Sequence, residues 1–186
     1  MEASGLILNI ARMLDKTRTV LLATTSEGTP VLRGARQLAL SLRLAKERKV
    51  AIVSLSEIGS QEVQPVSTAG DLVLDEPWRY AQPGGEGATL IYRAGSWSDG
   101  RASEWVSAEA FSALLEKLSG RFDLILVDAG SDPPPASQQL ALAPLCSGTV
   151  LLVRPGISTA AEVQSCEALL HQGRARILGC VFVEGN

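Results

Sequence analysis

Four segments of this chain contain apolar runs with almost no polar interruption. They are Thr19–Thr24 (TVLLAT), Val50–Ser54 (VAIVS), Phe122–Val127 (FDLILV) and Thr149–Val153 (TVLLV). A strand with one wet face alternates apolar and polar residues. A run apolar at successive positions fits a strand covered on both faces. Ala88–Tyr92 and Ile177–Val183 read as further strands, and Asp71–Leu74 as a short one inside the less regular stretch 56–87. Between the strands lie segments with helical spacing. Ala35, Leu38, Ala39, Leu42 and Ala45 form one stripe over residues 33–48. Phe111, Leu114, Leu115 and Leu118 form another over Ser107–Leu118, with Ser107 placed to cap it. Gln138–Ala143 and Thr159–His171 complete the set, and Leu6, Ile10, Met13 and Leu14 predict an amphipathic helix over residues 3–15. Strands alternating with helices specify an α/β fold of three layers, α/β/α, around a mainly parallel sheet. The length and composition suit one globular domain, so residues 1–186 are expected to form a single domain.

Composition narrows the function classes. Of 186 residues, 46% are hydrophobic, which supplies a substantial core. The net charge of −3 gives no electrostatic case for binding nucleic acid, whose partners usually carry a basic face. Cys146, Cys166 and Cys180 are scattered, and His171 is the only histidine. That pattern predicts free thiols in a reducing compartment and no metal site. The first residues lack a basic leader, and no apolar run is long enough to span a bilayer, so a cytoplasmic protein is expected.

Two places bear on chemistry. Asp128 ends the apolar strand Leu124–Val127. Ligands of open α/β sheets bind at that carboxyl edge, where a carboxylate suits Mg²⁺ or a Mg²⁺-bound water. The competing reading is an aspartate that caps the turn toward Gly130 and Pro133. The second place is the turn Ser26-Glu27-Gly28-Thr29-Pro30-Val31-Leu32-Arg33 between the first strand and helix. Strand, turn, helix and strand here have the arrangement of a P-loop NTPase. A working P-loop ends in Lys and then Ser or Thr, the lysine pairing with phosphate and the hydroxyl holding Mg²⁺. Val31 and Leu32 stand there, and none of the four lysines (Lys16, Lys46, Lys49, Lys117) follows a glycine. Arg33 and Arg36 lie in the first turns of the following helix and could replace the missing cation. As part of the basic set with Arg43, Lys46, Arg48 and Lys49, they equally suit a solvated face or an acidic partner. Ser54 and Ser56 end the second strand as turn or helix caps, with Glu57 a substitute carboxylate. The glycines at 84, 85 and 87 suit a plain turn. Trp97 and Trp105 flank a polar loop, either partly buried or as interface anchors.

An ordered set of segments resembles a known family. Phe122-Asp123-Leu124-Ile125-Leu126-Val127-Asp128-Ala129-Gly130, followed by Pro133-Pro134, resembles the "(Y/F)D-hydrophobic-D-T-P-P" segment of bacterial tyrosine kinases. Those are cytoplasmic ATPase partners of exopolysaccharide chain-length regulators, related to the ParA and MinD ATPases. The likeness runs on through 140–156, 162–170 and 177–182. Upstream, Ala94-Gly95 and Ser107-Ala108-Glu109-Ala110-Phe111 resemble the family's "AG…SEAF" stretch. The resemblance implies a P-loop NTPase-like fold of the SIMIBI type. It places the family's "GEGKST" over residues 28–33, keeping Gly28 alone, and its "IDAD" over Val53-Ser54-Leu55-Ser56, with serine for both aspartates. An asparagine near the adenine falls at Val183. The "ExxRxxR" assembly motif falls at Glu2, Gly5 and Leu8, and the tyrosine-rich tail has no counterpart.

The resemblance therefore implies a catalytically degenerate relative with Asp128 as a relic of the Mg²⁺ carboxylate. Gly28, Arg33 and Asp128 mark the residual nucleotide position. The expected role is regulation or scaffolding in exopolysaccharide synthesis or export, without a bound cofactor. The expected partner is the cytoplasmic part of a membrane polysaccharide co-polymerase or an active kinase paralogue, with self-association a further option. Two alternatives stand beside it. One is an ATP–Mg²⁺-binding switch or kinase with a rebuilt phosphate loop. The other is a MinD-like positioning protein that docks on membranes through its first helix.

Overall fold

The computed structural model describes residues 14, 17–25, 31–46, 48–55, 65–66, 78–81, 88–93, 107–129 and 136–183. The elements, in chain order, are β1 (Thr19–Thr24), α1 (Val31–Lys46), β2 (Val50–Ser54), β3 (Pro65–Val66), β4 (Trp78–Ala81), β5 (Ala88–Arg93), α2 (Ala108–Ser119), β6 (Leu124–Asp128), α3 (Ala136–Leu142), a 3₁₀ turn (Ala143–Leu145), β7 (Gly148–Val153), α4 (Ala160–Gln172) and β8 (Ile177–Phe182). They form one sheet in the order β3-β4-β5-β2-β6-β1-β7-β8. The six strands from β5 to β8 in that order are parallel. β3 and β4 add an antiparallel extension beside β5.

The strand order dictates the layers. From β1 the chain moves toward β2 on one side of the sheet; from β5 through β6, β7 and β8 it moves the opposite way. Crossovers between parallel strands are right-handed, so reversing direction puts the connecting helix on the other face. The two apolar cores follow this division. On one face Ala35, Leu38, Ala39 and Leu42 of α1 cover Val20, Leu22, Val50, Ile52, Leu124, Leu126, Val150 and Leu152. On the other, Phe111, Leu114, Leu115 and Leu118 of α2, Leu142 of α3, and Cys166 and Leu170 of α4 cover Leu21, Ala51, Val53, Ile125, Val127 and Leu151. Every central strand thus feeds alternate residues to both cores, which is why its sequence shows no polar face.

Element ends differ from the sequence reading for local reasons. α1 starts at Val31, directly after Pro30 in the sequence, where proline's fixed φ suits a helix start. It stops at Lys46, and Arg48 outside it donates its guanidinium to the Leu14 carbonyl at 3.0 Å. β6 begins at Leu124 instead of Phe122. The Phe122 N–H returns to Leu118 O at the end of α2, and the Asp123 carboxylate accepts from Lys49 N–H at 2.8 Å. Both residues therefore close turns. Ser107 caps α2 as expected, accepting from Ala110 N–H at 3.1 Å. Thr159 and Glu162 form a reciprocal capping box on α4. The expected strand 71–74 and helix 3–15 lie outside the described residues, apart from buried Leu14.

β7 and β8 shift register between Thr149 and Val150, leaving Leu178 as an extra residue on β8. Gly179 takes φ 152° beside it, and the Leu178 side chain swings across Gly148. A Cβ on Gly148 would sit 2.5 Å from Leu178 Cδ1 and 2.8 Å from its Cγ. Gly148→Ala is therefore expected to cost about 1–3 kcal/mol through overpacking. Leu178→Ala in the same chain should recover part of that loss, giving a favourable coupling in a urea-denaturation double-mutant cycle.

Candidate functional site

The site is built from the carboxyl ends of β1, β2 and β6. The two-residue period of a strand puts Thr24, Ser54 and Asp128 on the α1 face, in line with Leu22, Ile52 and Leu126. All three are buried, Ser54 and Asp128 completely. The β2–β6 register sets Ser54 directly beside Asp128, and β1–β6 sets Leu22 on its other side. The Leu55 N–H then donates to Asp128 O at 3.0 Å, carrying the ladder one residue beyond β2.

Side-chain geometry assigns Ser54 a role that the sequence reading missed. Its hydroxyl donates to Asp128 Oδ2 at 2.7 Å inside the sheet edge. The structure thus gives Ser54 a partner across the strands, in addition to the cap that its strand-end position suggests. Ser54 is the hydrogen-bond donor that satisfies a buried carboxylate oxygen. Sequence spacing alone offers no signal for this pair, because 74 residues separate its members. Only the strand order makes them neighbours.

Two described residues at positions that the resemblance gives to nucleotide contacts are apolar. Val31, at the position the resemblance gives to the P-loop lysine, is the first residue of α1 and packs against the α1-face core. Arg33 lies in the first turn of α1, and Arg36 in the next turn is half-buried. Val183, at the position given to the adenine-side asparagine, is buried in the same core. It presses on the start of α1: a Cβ on Gly34 would lie 3.0 Å from Val183 Cγ1. Gly28, Ser56, Glu57, Trp97 and Trp105 lie outside the described residues.

Hydroxyl groups tie the neighbouring strand ends together. Thr25, just past β1, donates to Leu152 O at 3.3 Å and to Ser158 Oγ at 3.0 Å. Ser158 Oγ also accepts from Arg154 N–H at 3.0 Å. The intervening turn carries Pro155 and then Gly156 at φ 75°, with Ile157 N–H donating to Arg154 O at 3.1 Å. Those are the requirements of a type II turn, which the Pro-Gly dipeptide announces in the sequence. The bridge lies between β1 and β7, where the chain's direction of travel changes and where open α/β sheets bind ligands.

The thiols do not add a reactive group to this edge. Cys166 Sγ lies 3.6 Å from Thr24 O, and burial raises its pKa. Cys146 is half-buried by surface area, yet its sulfur is enclosed enough to push its pKa up to about 12. Cys180 is exposed. Among the described residues, no group of three or more His, Cys, Asp or Glu is placed to hold a metal ion. No helix among them is long and apolar enough to cross a membrane.

No family model matches this chain, and no curated protein matches it. Solved structures do. The kinase domain of Escherichia coli tyrosine kinase ETK superposes with a TM-score of 0.71 at 19% identity, over 96% of this chain and 72% of that one. The kinase domain of VpsO gives 0.66 at 18% identity, over 100% and 98%. A ParA family ATPase from Chlorobium tepidum gives 0.60 at 14% identity, over 90% and 73%. The chain thus has the α/β P-loop NTPase fold shared by bacterial tyrosine kinase domains and ParA-type ATPases.

Two substitutions test the pair at the sheet edge. Ser54→Ala removes the donor from a buried carboxylate oxygen and should cost about 1–3 kcal/mol. Ser54→Asp sets a second carboxylate within hydrogen-bond reach of Asp128 and should cost more, about 3–5 kcal/mol when the added charge is uncompensated. Urea midpoints report both, and repeating the Ser54→Asp titration with Mg²⁺ shows whether a cation can offset the repulsion. Separately, maleimide labelling of dilute native protein at mildly alkaline pH is expected at Cys180, with Cys146 and Cys166 left unmodified until denaturant is added.

Proposed function

We propose that this chain is a catalytically degenerate relative of the bacterial tyrosine kinase domains whose fold it shares, and that it acts by binding. Its role on this reading is regulation or scaffolding in exopolysaccharide synthesis or export. The partner is the cytoplasmic part of a membrane polysaccharide co-polymerase or an active kinase paralogue, which places the protein at the inner face of the membrane. The observation that carries the reading is Val31. The residue aligned with the phosphate-binding lysine is an aliphatic side chain seated in the α1-face core.

Phosphoryl-transfer sites work through positioning and electrostatic stabilisation, so the loss of the ammonium group is not a small perturbation. Groups that act as a unit lose most of their joint effect when several are missing. Here the lysine, the following hydroxyl residue and the aspartate at 54 are all replaced, by Val31, Leu32 and Ser54. What persists is Asp128, held by Ser54 in a solvent-free position. A retained fold with such a site suits recognition by a partner.

Asp128 also favours a second reading, an ATP–Mg²⁺-binding switch that uses Arg33 or Arg36 as its cation. A fluorescent ATP analogue titrated with Mg²⁺ separates the two. The degenerate reading expects no saturable binding below millimolar nucleotide. Micromolar binding that disappears in Asp128→Ala replaces it with the switch. A pulldown from a producing cell should recover a co-polymerase or kinase component; recovery of neither counts against the scaffold role.

A further inference from the structure

Among the described residues β8 is an edge strand, and its bulge at Leu178 is its one structural defence as an edge. Natural edge strands carry charges, proline or cover that prevent pairing with another chain. Ile177–Phe182 (ILGCVF) contains neither charge nor proline. It ends the sheet, beyond β7. Phe182 is 58% exposed and Cys180 is exposed on the same side, two residues apart. Ile157, in the turn that follows β7, is 50% exposed, and the residue that pairs with Phe182 is Val153 at the end of β7.

The backbone defines which groups point outward. The Val183 N–H donates to Val153 O at 2.9 Å, so residue 183 faces β7. Strand alternation then turns Val181 toward β7 and the N–H and C=O groups of Cys180 and Phe182 away from it. Among the described residues no strand lies on that side. The bulge at Leu178 confines the regular edge to residues 179–183.

We propose that this edge pairs antiparallel with the same edge of a second copy, about a two-fold axis through Val181. The register follows from the outward groups. With the axis at Val181, Cys180 of one copy lies opposite Phe182 of the other. Each such pair exchanges two N–H···O bonds, so the outward donors and acceptors at 180 and 182 are all matched. The thiol also meets an aromatic ring, a small side chain beside a large one, on both sides of the axis. An uncharged strand brings no like charges together across the axis. An isologous contact of this kind closes as a dimer and leaves no further edge at β8. The surface is remote in the strand order from the Ser54–Asp128 edge. The proposal therefore stands whether or not the chain binds nucleotide.

Light scattering after size exclusion, over a concentration series, tests it on the full chain. The expected result is a mass that rises to twice the monomer value with concentration. Phe182→Lys should hold the mass at monomer while circular dichroism and the urea midpoint stay near wild type. Cys180→Ser should keep the dimer. In the proposed register the two Cys180 residues are diagonal neighbours, with Cα atoms about 7–8 Å apart. A short bis-maleimide should therefore link Cys180 to Cys180, as mass spectrometry can read, and the link should vanish in Phe182→Lys. A monomer at every concentration overturns the proposal. So does a dimer that survives Phe182→Lys, or a folded dimer in which the bis-maleimide does not link Cys180.

Discussion

A carboxylate with no solvent contact sets the terms for this sheet edge. Asp128 is fully buried at the end of β6, and the Ser54 hydroxyl reaches one of its oxygens from the adjacent strand. A buried carboxylate is tolerated when its oxygens are hydrogen-bonded or its charge is countered. The kinase pattern puts aspartates at 54 and 56 and a lysine at 31, with a metal ion as counter-charge. Removing the cations while keeping an aspartate at 54 would leave two carboxylates side by side in a dry site, where one is forced to take up a proton. Serine at 54 resolves that conflict. It lowers the negative charge and supplies the donor that Asp128 needs.

Packing also shapes this edge of the fold. The α1-face core is made of strand residues that alternate with those of the other core, and Val183 and the partly buried Val31 extend it toward the start of α1. Each places apolar surface where the nucleotide-binding pattern has a polar group. Apolar burial contributes about 25 cal/mol per Å² of surface removed from water, so Val31 and Val183 stabilise the start of α1 by packing there. At the head of α1, Val31 and Val183 serve packing.

Much of this architecture is legible in the chain itself. Apolar runs without alternation announced buried parallel strands, and all six strands read within the described residues fall within two residues of their ends in the structure. Ser107 announced its helix by cap chemistry, whereas the capping box of Thr159 and Glu162 became evident in the structure. The antiparallel pair β3 and β4 was not legible. Pro65–Val66 is too short to show a period, and Trp78–Ala81 sits among prolines that read as loop. The site was legible only by halves. Asp128 stands out because a charge ends an apolar strand. Ser54 looks like any strand-terminal serine until the sheet order sets β2 against β6. Residues made adjacent by topology, and not by spacing along the chain, leave no periodic trace.

The two edges of interest also differ in what they ask of a ligand. At the carboxyl ends of β1, β2 and β6 every described polar side chain is buried, and Thr25 and Ser158 bridge the β1–β7 gap. A charged ligand entering there would have to break internal hydrogen bonds before making its own, and an unmade buried bond costs about 1–3 kcal/mol. At β8 the situation is reversed. The groups that face outward are already exposed, and the side chains beside them, Cys180 and Phe182, lose water on contact instead of losing partners. Association at that edge needs no internal bond to break.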